Sequence, residues 1–296
     1  MKISALVLGI SVVFFSWSDL KGKAGASMAK NKKEKTKEQA NEYTPGITIT
    51  KRWDMPTSLK EISGLSYIDG DRFACVQDEL GTIFIYNTKT SAIEKEISFG
   101  GVGDYEGLAM VNETAWVVRA DGKLFEVNNI TTGKPVVKEY STHLTMAQNV
   151  EGLCYDKNNN RLLLAIKDNE PGNATYKGIY SFDLATRKMP SEPVFKIDLQ
   201  DKVFGNGSGG KKKGSGEIMP SEIAIHPLTK EIYITDGRNA KLLILDASGA
   251  IKKLYQLNKN DFSQPEGLTF KPNGEMLIAN EGVKQPGNIL NVKIGE

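Results

Sequence analysis

The sequence predicts an all-β fold, and three observations carry that prediction. Short runs rich in Ile, Val, Tyr and Phe recur along most of the chain, each bounded by turn residues such as DGD, NNN, SG and NG. Few segments keep a helical period. The runs also repeat: Ser63-Gly64-Leu65, Glu106-Gly107-Leu108, Glu151-Gly152-Leu153, Ser221-Glu222-Ile223 and Glu266-Gly267-Leu268 stand in one column.

After each member of the column come a strand, a turn and a second strand: RFACVQD, TAWVVRA, RLLLAIK, EIYITDG and EMLIANE. A third strand follows in every repeat (TIFIYN, KLFEVN, GIYSFDL, KLLILD, NILNVKI). A fourth follows in the first four: AIEKEISF, VVKEYS, PVFKIDL and IKKLYQL. The fifth repeat reaches Glu296 without its fourth strand, and ITITKRWDM at 47–55 is free to supply it. Completing the last sheet with the first strand is how a ring of blades closes. The expected fold is therefore a five-bladed β-propeller of four-stranded antiparallel blades. The long third repeat holds two insertions, around EPGNATYKG and around DKVFGNGSGGKKKGSGE. A six-bladed ring would need a degenerate blade within 190–217, a segment too rich in Gly and Lys for strands.

Ahead of the propeller domain (46–296) the texture differs. Lys2 precedes an uncharged apolar stretch at 3–17, shorter than the roughly 20 residues of a membrane span and typical of a signal-peptide core. Ala24-Gly25-Ala26 is a small-residue cleavage site, so 1–26 reads as a signal peptide or, uncleaved, as an N-terminal anchor. Residues 27–45 are polar and charged and read as a flexible tether. The expectation is an exported chain in the periplasm or cell envelope, touching a membrane only through its N-terminal segment.

Lys and Arg number 38 against 36 Asp and Glu, with much of the basic excess in KNKKEKTK (30–37) and KKK (211–213). That balance argues against nucleic acid as a partner, because a nucleic-acid binder carries a basic stripe through its fold. Cys75 and Cys154 are too few for a disulfide scaffold and lack zinc spacing; on strands of the first and third blades they read as buried free thiols. His143 and His226 have no Ser or Cys partner visible in sequence and read as surface or packing residues. GNGSGGKK (205–212) imitates a phosphate loop, but Lys212 occupies the Ser/Thr position and no strand–helix frame surrounds it. Asn112, Asn129 and Asn173 head N-x-T sequons, which count only in a eukaryotic secretory pathway.

The Glu-Gly pairs carry the functional reading. The first strand of each propeller blade lines the central channel, and the column glutamates Glu106, Glu151 and Glu266 stand at its start. Strand two runs back, so its end reaches the same mouth with Asp78, Glu79, Arg119, Asp121, Lys167, Asp168, Asp236, Arg238 and Glu281. The Gly after each Glu removes a side chain where blades crowd, or permits an unusual backbone angle. Two carboxylates ~5 Å apart at an effective dielectric of ~20 repel by about 3 kcal/mol. Several such pairs rival the ~5–15 kcal/mol stability of a domain. A bound cation, protonation, or pairing with Arg119, Lys167 and Arg238 would relieve that repulsion. Hard oxygen donors without His or Cys favour Ca²⁺ over zinc or copper, which makes Glu106, Glu151, Glu266, Asp78 and Asp236 the candidate metal ligands. The competing role for these glutamates is structural: accepting N–H groups of the next blade and holding the ring together. The three basic residues serve as salt-bridge partners of the ring or recognise a phosphorylated or carboxylated ligand.

The succession SGL, EGL, EGL, then PSEIAIHPLTKEIYITDGRNAKLLILDASGAI and QPEGLTFKPNGEMLIANEG, resembles the SdiA-regulated (YjiK-type) propellers, bacterial envelope proteins distantly similar to phytase-like propellers. The resemblance covers about 58–295 and is strongest over 216–282; Glu222 departs from the family's Gly. It implies a propeller, export and a link to calcium, but no settled activity. Two readings follow. One is a non-catalytic propeller that binds a divalent cation or a partner such as a small anionic ligand or an envelope protein. The other is a metal-dependent hydrolase of phosphate esters or sugar lactones, which a carboxylate mouth flanked by Arg and Lys also suits. No catalytic residue is assigned, and the first reading is the expected one because no nucleophile is apparent.

Overall fold

The computed structural model describes residues 43–205 and 217–295. Twenty strands within them form five four-stranded antiparallel sheets. The closing strand β1 is Ile47–Asp54. Blade 1 holds β2 (Ile62–Asp69), β3 (Arg72–Gln77), β4 (Leu80–Asn87) and β5 (Ala92–Val102). Blade 2 holds β6 (Tyr105–Val111), β7 (Thr114–Arg119), β8 (Leu124–Asn128) and β9 (Val136–Tyr140). Blade 3 holds β10 (Val150–Asp156), β11 (Arg161–Ile166), β12 (Tyr176–Asp183) and β13 (Phe195–Asp198). Blade 4 holds β14 (Glu222–Ile225), β15 (Ile232–Asp236), β16 (Lys241–Leu245) and β17 (Ile251–Gln256). Blade 5 holds β18 (Pro265–Phe270), β19 (Met276–Asn280) and β20 (Asn288–Ile294), and β1 completes it.

This is the predicted five-bladed propeller, with the predicted closure. β1 pairs antiparallel with β20 from Ile47 opposite Ile294 to Asp54 opposite Asn288. Thr44, ahead of the first strand, also joins the ring: its N–H donates to the Gln256 carbonyl at 2.8 Å, and its hydroxyl accepts the Gln256 N–H at 3.0 Å. The segment 190–205 contributes only β13 and a short turn of 3₁₀ helix, Lys202–Phe204. The apolar stretch 3–17, the charged tether to residue 42 and most of the GNGSGGKK insertion lie outside the described residues. Within the described residues no helix is long and apolar enough to cross a membrane.

The core is divided as the ring is. Among the described residues five apolar clusters occur, each made of residues from two adjoining blades. Alternation along the inner strands produces this division, because successive side chains point to opposite faces. On β6, Leu108 packs toward blade 1 and Ala109 toward blade 3. Cys75 and Cys154 are both buried and free, in different clusters. His143 packs edge-on against Tyr180, with ring centroids 5.3 Å apart.

Candidate functional site

The column Glu-Gly pairs sit at the start of the inner strands, and a bulge marks each start. The β2–β3, β6–β7, β10–β11 and β18–β19 pairings all slip register at the column residue, between Ile62/Gly64, Tyr105/Gly107, Val150/Gly152 and Pro265/Gly267. A bulge leaves one residue unpaired and re-aims its side chain. Here the re-aimed residues are Ser63, Glu106, Glu151 and Glu266. The β14–β15 ladder of blade 4 shows no such slip and begins at Glu222 itself.

The glycines answer to crowding rather than to backbone angle, since none of Gly64, Gly107, Gly152 and Gly267 has positive φ. A Cβ on Gly107 would lie 2.7 Å from both the Glu151 carbonyl oxygen and the Leu153 nitrogen. One on Gly152 would lie 2.9 Å from the Ile223 nitrogen, and one on Gly64 3.0 Å from the Glu106 carbonyl oxygen. Each glycine thus lets the next blade's backbone pass. One residue further along, Leu65, Leu108, Leu153, Ile223 and Leu268 are all buried and give the ring an apolar floor.

On that floor the carboxylates crowd. Glu151 and Glu266 are buried, and Glu106 is partly exposed. Burial, Glu151, Asp104 and Glu266 together push the Glu106 carboxyl up to about 10. Burial raises Glu151 to about 8 against the pull of Lys167, and Glu266 to about 7 for the same reasons. Lys167 Nζ stands 3.0 Å from Glu151 Oε1, and Asn149 Nδ2 donates to the same oxygen at 2.8 Å. Burial works against the Lys167 ammonium, but Glu151, Glu266 and Glu106 outweigh it and its pKa is raised. Asp78 and Glu281 extend the acidic surface, each raised by burial and then by neighbours that include Glu61. Asp78 Oδ1 is buried without a hydrogen-bond partner, and Glu281 accepts from Gln264 Nε2.

The remaining predicted residues are placed differently. Arg119 does not reach the carboxylate ring; it forms a two-pronged bond with Asp121 (3.0 and 2.6 Å), which lowers the Asp121 pKa. Asp236 is fully buried and engaged in its own turn, accepting from the Met219 and Asn239 N–H groups and the Asn239 amide. Arg238 is exposed and leans on Met219 Sδ at 3.7 Å. Glu79 is exposed with its N–H on Gln77 Oε1, and the Asp168 N–H donates to the Gln148 carbonyl at 3.0 Å.

Sequence reasoning missed three participants. Asp104 and Glu61 stand two residues before the column position, where the other blades carry Asn149, Met219 and Gln264. That second column, polar in four of five blades, was the available signal. The third is Glu222, fully buried, with Oε1 accepting the Leu153 N–H of blade 3 at 2.7 Å and its own Ile223 N–H at 2.9 Å. Its Oε2 has no partner, and burial holds its pKa well above the ordinary carboxylate range. Among the described residues, no three His, Cys, Asp or Glu side chains are already spaced as a metal cage.

The fold and this mouth define the chain as a five-bladed β-propeller with an acidic channel opening. No family model matches the chain, and no curated protein sequence does. A solved structure shares the fold. A glutaminyl cyclase of Myxococcus xanthus superposes with a TM-score of 0.60 at 15% identity, covering 84% of this chain and 97% of that one. A streptogramin B lyase superposes with a TM-score of 0.48 at 13% identity, covering 83% and 98%. At 15% identity the likeness to the cyclase is one of fold.

Proposed function

We propose that this protein is an exported binding propeller of the cell envelope, of the SdiA-regulated type, that takes a divalent cation at the mouth of its channel, with Ca²⁺ the best-suited ion. The observation that carries the reading is the convergence of Glu106, Glu151 and Glu266 around a single lysine, Lys167, where burial and mutual repulsion hold the carboxyls above the ordinary range. Carboxylates that repel one another and stand over an apolar floor hold protons unless another cation replaces them. The donor set is all oxygen, and the unpartnered Asp78 Oδ1 offers one more buried acceptor. The ion we propose is a hydrated one. Glu106, Glu151 and Glu266 would supply part of its shell and water the rest, an arrangement Ca²⁺ tolerates with its six to eight oxygen ligands. Export is supported by the apolar stretch at 3–17 and its small-residue site.

Calorimetric titration of Ca²⁺ into chelator-stripped protein tests the reading. Saturable binding with proton release near neutral pH, lost in Glu106→Gln/Glu266→Gln, is the expected result. A folded protein that takes up no Ca²⁺, Mg²⁺ or Mn²⁺ would leave the ring without a ligand and sink the proposal.

A further inference from the structure

The far ends of the inner strands build a second site, between blades 4 and 5. His226 follows β14, Phe270 ends β18, and Tyr233 lies on β15. Their rings pack together: His226 against Phe270 at 4.9 Å, His226 against Tyr233 at 5.9 Å and Tyr233 against Phe270 at 5.0 Å between centroids. His226 Nδ1 accepts the Thr229 and Leu228 N–H groups at 3.1 and 3.3 Å, which places the ring proton on Nε2. Burial lowers its pKa. The aromatic group forms one wall of a cleft of about 600 Å³, within the range of roughly 300–1,000 Å³ for small-molecule sites.

The opposite wall is polar and pre-oriented. Asn291 Nδ2 donates to Glu275 Oε1, an acceptor that fixes the amide and leaves Asn291 Oδ1 as the free atom. That Oδ1 is buried and has no partner. Thr50 stands where β1 slips register against β20, between Ile49 and Lys51, and the bulge aims it into the cleft. Glu275 is paired with Lys271, whose Nζ lies 3.1 Å from it, and Lys293 also lines the cleft. The cleft thus offers an aromatic wall, a buried acceptor in need of a donor, and a hydroxyl.

We propose that this cleft binds a hydroxyl-rich ring, a pyranose unit of a saccharide, stacked on His226 beside the perpendicular Phe270 ring and hydrogen-bonded to Asn291 Oδ1 and Thr50 Oγ1. A sugar hydroxyl satisfies the orphaned amide oxygen, and the ring's C–H face covers the aromatic wall. The site is separate from the cation mouth, on the opposite face of the propeller, and stands whether or not a cation binds there.

With only two histidines in the chain, imidazole NMR signals provide the test. Methyl β-D-glucopyranoside, cellobiose and, as a non-saccharide stacking control, adenosine are titrated into the full-length protein. The expected result is a saturable millimolar shift of His226 but not His143 with the sugars. Thr50→Val, on an exposed strand position, weakens that binding by about fivefold, the worth of one hydrogen bond. Glu106→Gln/Glu266→Gln leaves it unchanged. The proposal is overturned if neither sugar moves His226, if Thr50→Val binds as tightly as the parent, or if adenosine alone shifts the ring.

Discussion

Two kinds of blade start face the channel, and they use the same position for different ends. In blades 1 and 4 the column residue is serine. Ser63 Oγ donates to the Tyr105 carbonyl and Ser221 Oγ to the Pro265 carbonyl, each at 2.7 Å, and each acceptor immediately precedes the next blade's glutamate. In blades 2, 3 and 5 the column residue is glutamate, and no hydrogen bond among the described residues ties Glu106, Glu151 or Glu266 to the backbone of a neighbouring blade. Serine is the mortar of this ring. The glutamates make no such bond, and burying them as anions costs stability unless the charge is paired or neutralised. Glu222 confirms the contrast from the other side: this carboxylate does bind backbone, across to Leu153 of blade 3, and is sealed from solvent.

Breaking the mortar should therefore hurt stability, while neutralising the column glutamates should not. The largest effect is expected at Glu222→Ala, which strands the Leu153 and Ile223 N–H groups in the interior and should cost about 3 kcal/mol in denaturant unfolding. Gly107→Ala should follow at about 2 kcal/mol, since its Cβ would press on blade 3 backbone. Gly101→Ala, with open space around it and no positive φ, is the matched control and should be within about 0.5 kcal/mol of the parent. Ser63→Ala removes a single blade-to-blade bond and should cost about 1 kcal/mol. A loss at Glu106→Gln as large as any of these would erase the distinction between mortar and charge.

Most of the architecture was legible in the sequence because a propeller repeats its grammar. The column at 63, 106, 151, 221 and 266 located every inner strand, and the unpaired ITITKRWDM announced the closure. The convergence of Glu106, Glu151 and Glu266 with Lys167 followed from strand direction alone. What stayed hidden depends on geometry finer than strand order. The bulges that aim the glutamates leave no mark beyond the glycine itself. Asp236 reads like a mouth carboxylate, but the following Gly237-Arg238-Asn239 turn claims both its oxygens. Arg119 is diverted by Asp121 two residues on, a pairing that sequence proximity permitted without requiring. The cleft under His226 joins Thr50 to Asn291 and to the ends of two other blades, and no local motif spells out such a junction.

The central claim is that the column glutamates serve a ligand rather than the fold, and the pH dependence of stability tests it most directly. Their folded-state pKa values lie above the ordinary carboxylate value of 4.5, at about 7 for Glu266 and about 8 for Glu151. Groups raised in this way favour the folded state fully below about pH 4.5, and that contribution drains away as pH rises through 7 and 8. Thermal unfolding of chelator-stripped protein should show Tm falling across that window. Added Ca²⁺ should restore Tm at the alkaline end but not the acid end, and Glu106→Gln/Glu266→Gln should flatten the slope and abolish the Ca²⁺ response. A Tm that holds level from pH 5 to 8, and is indifferent to Ca²⁺, would contradict the account and return the glutamates to the structure of the ring.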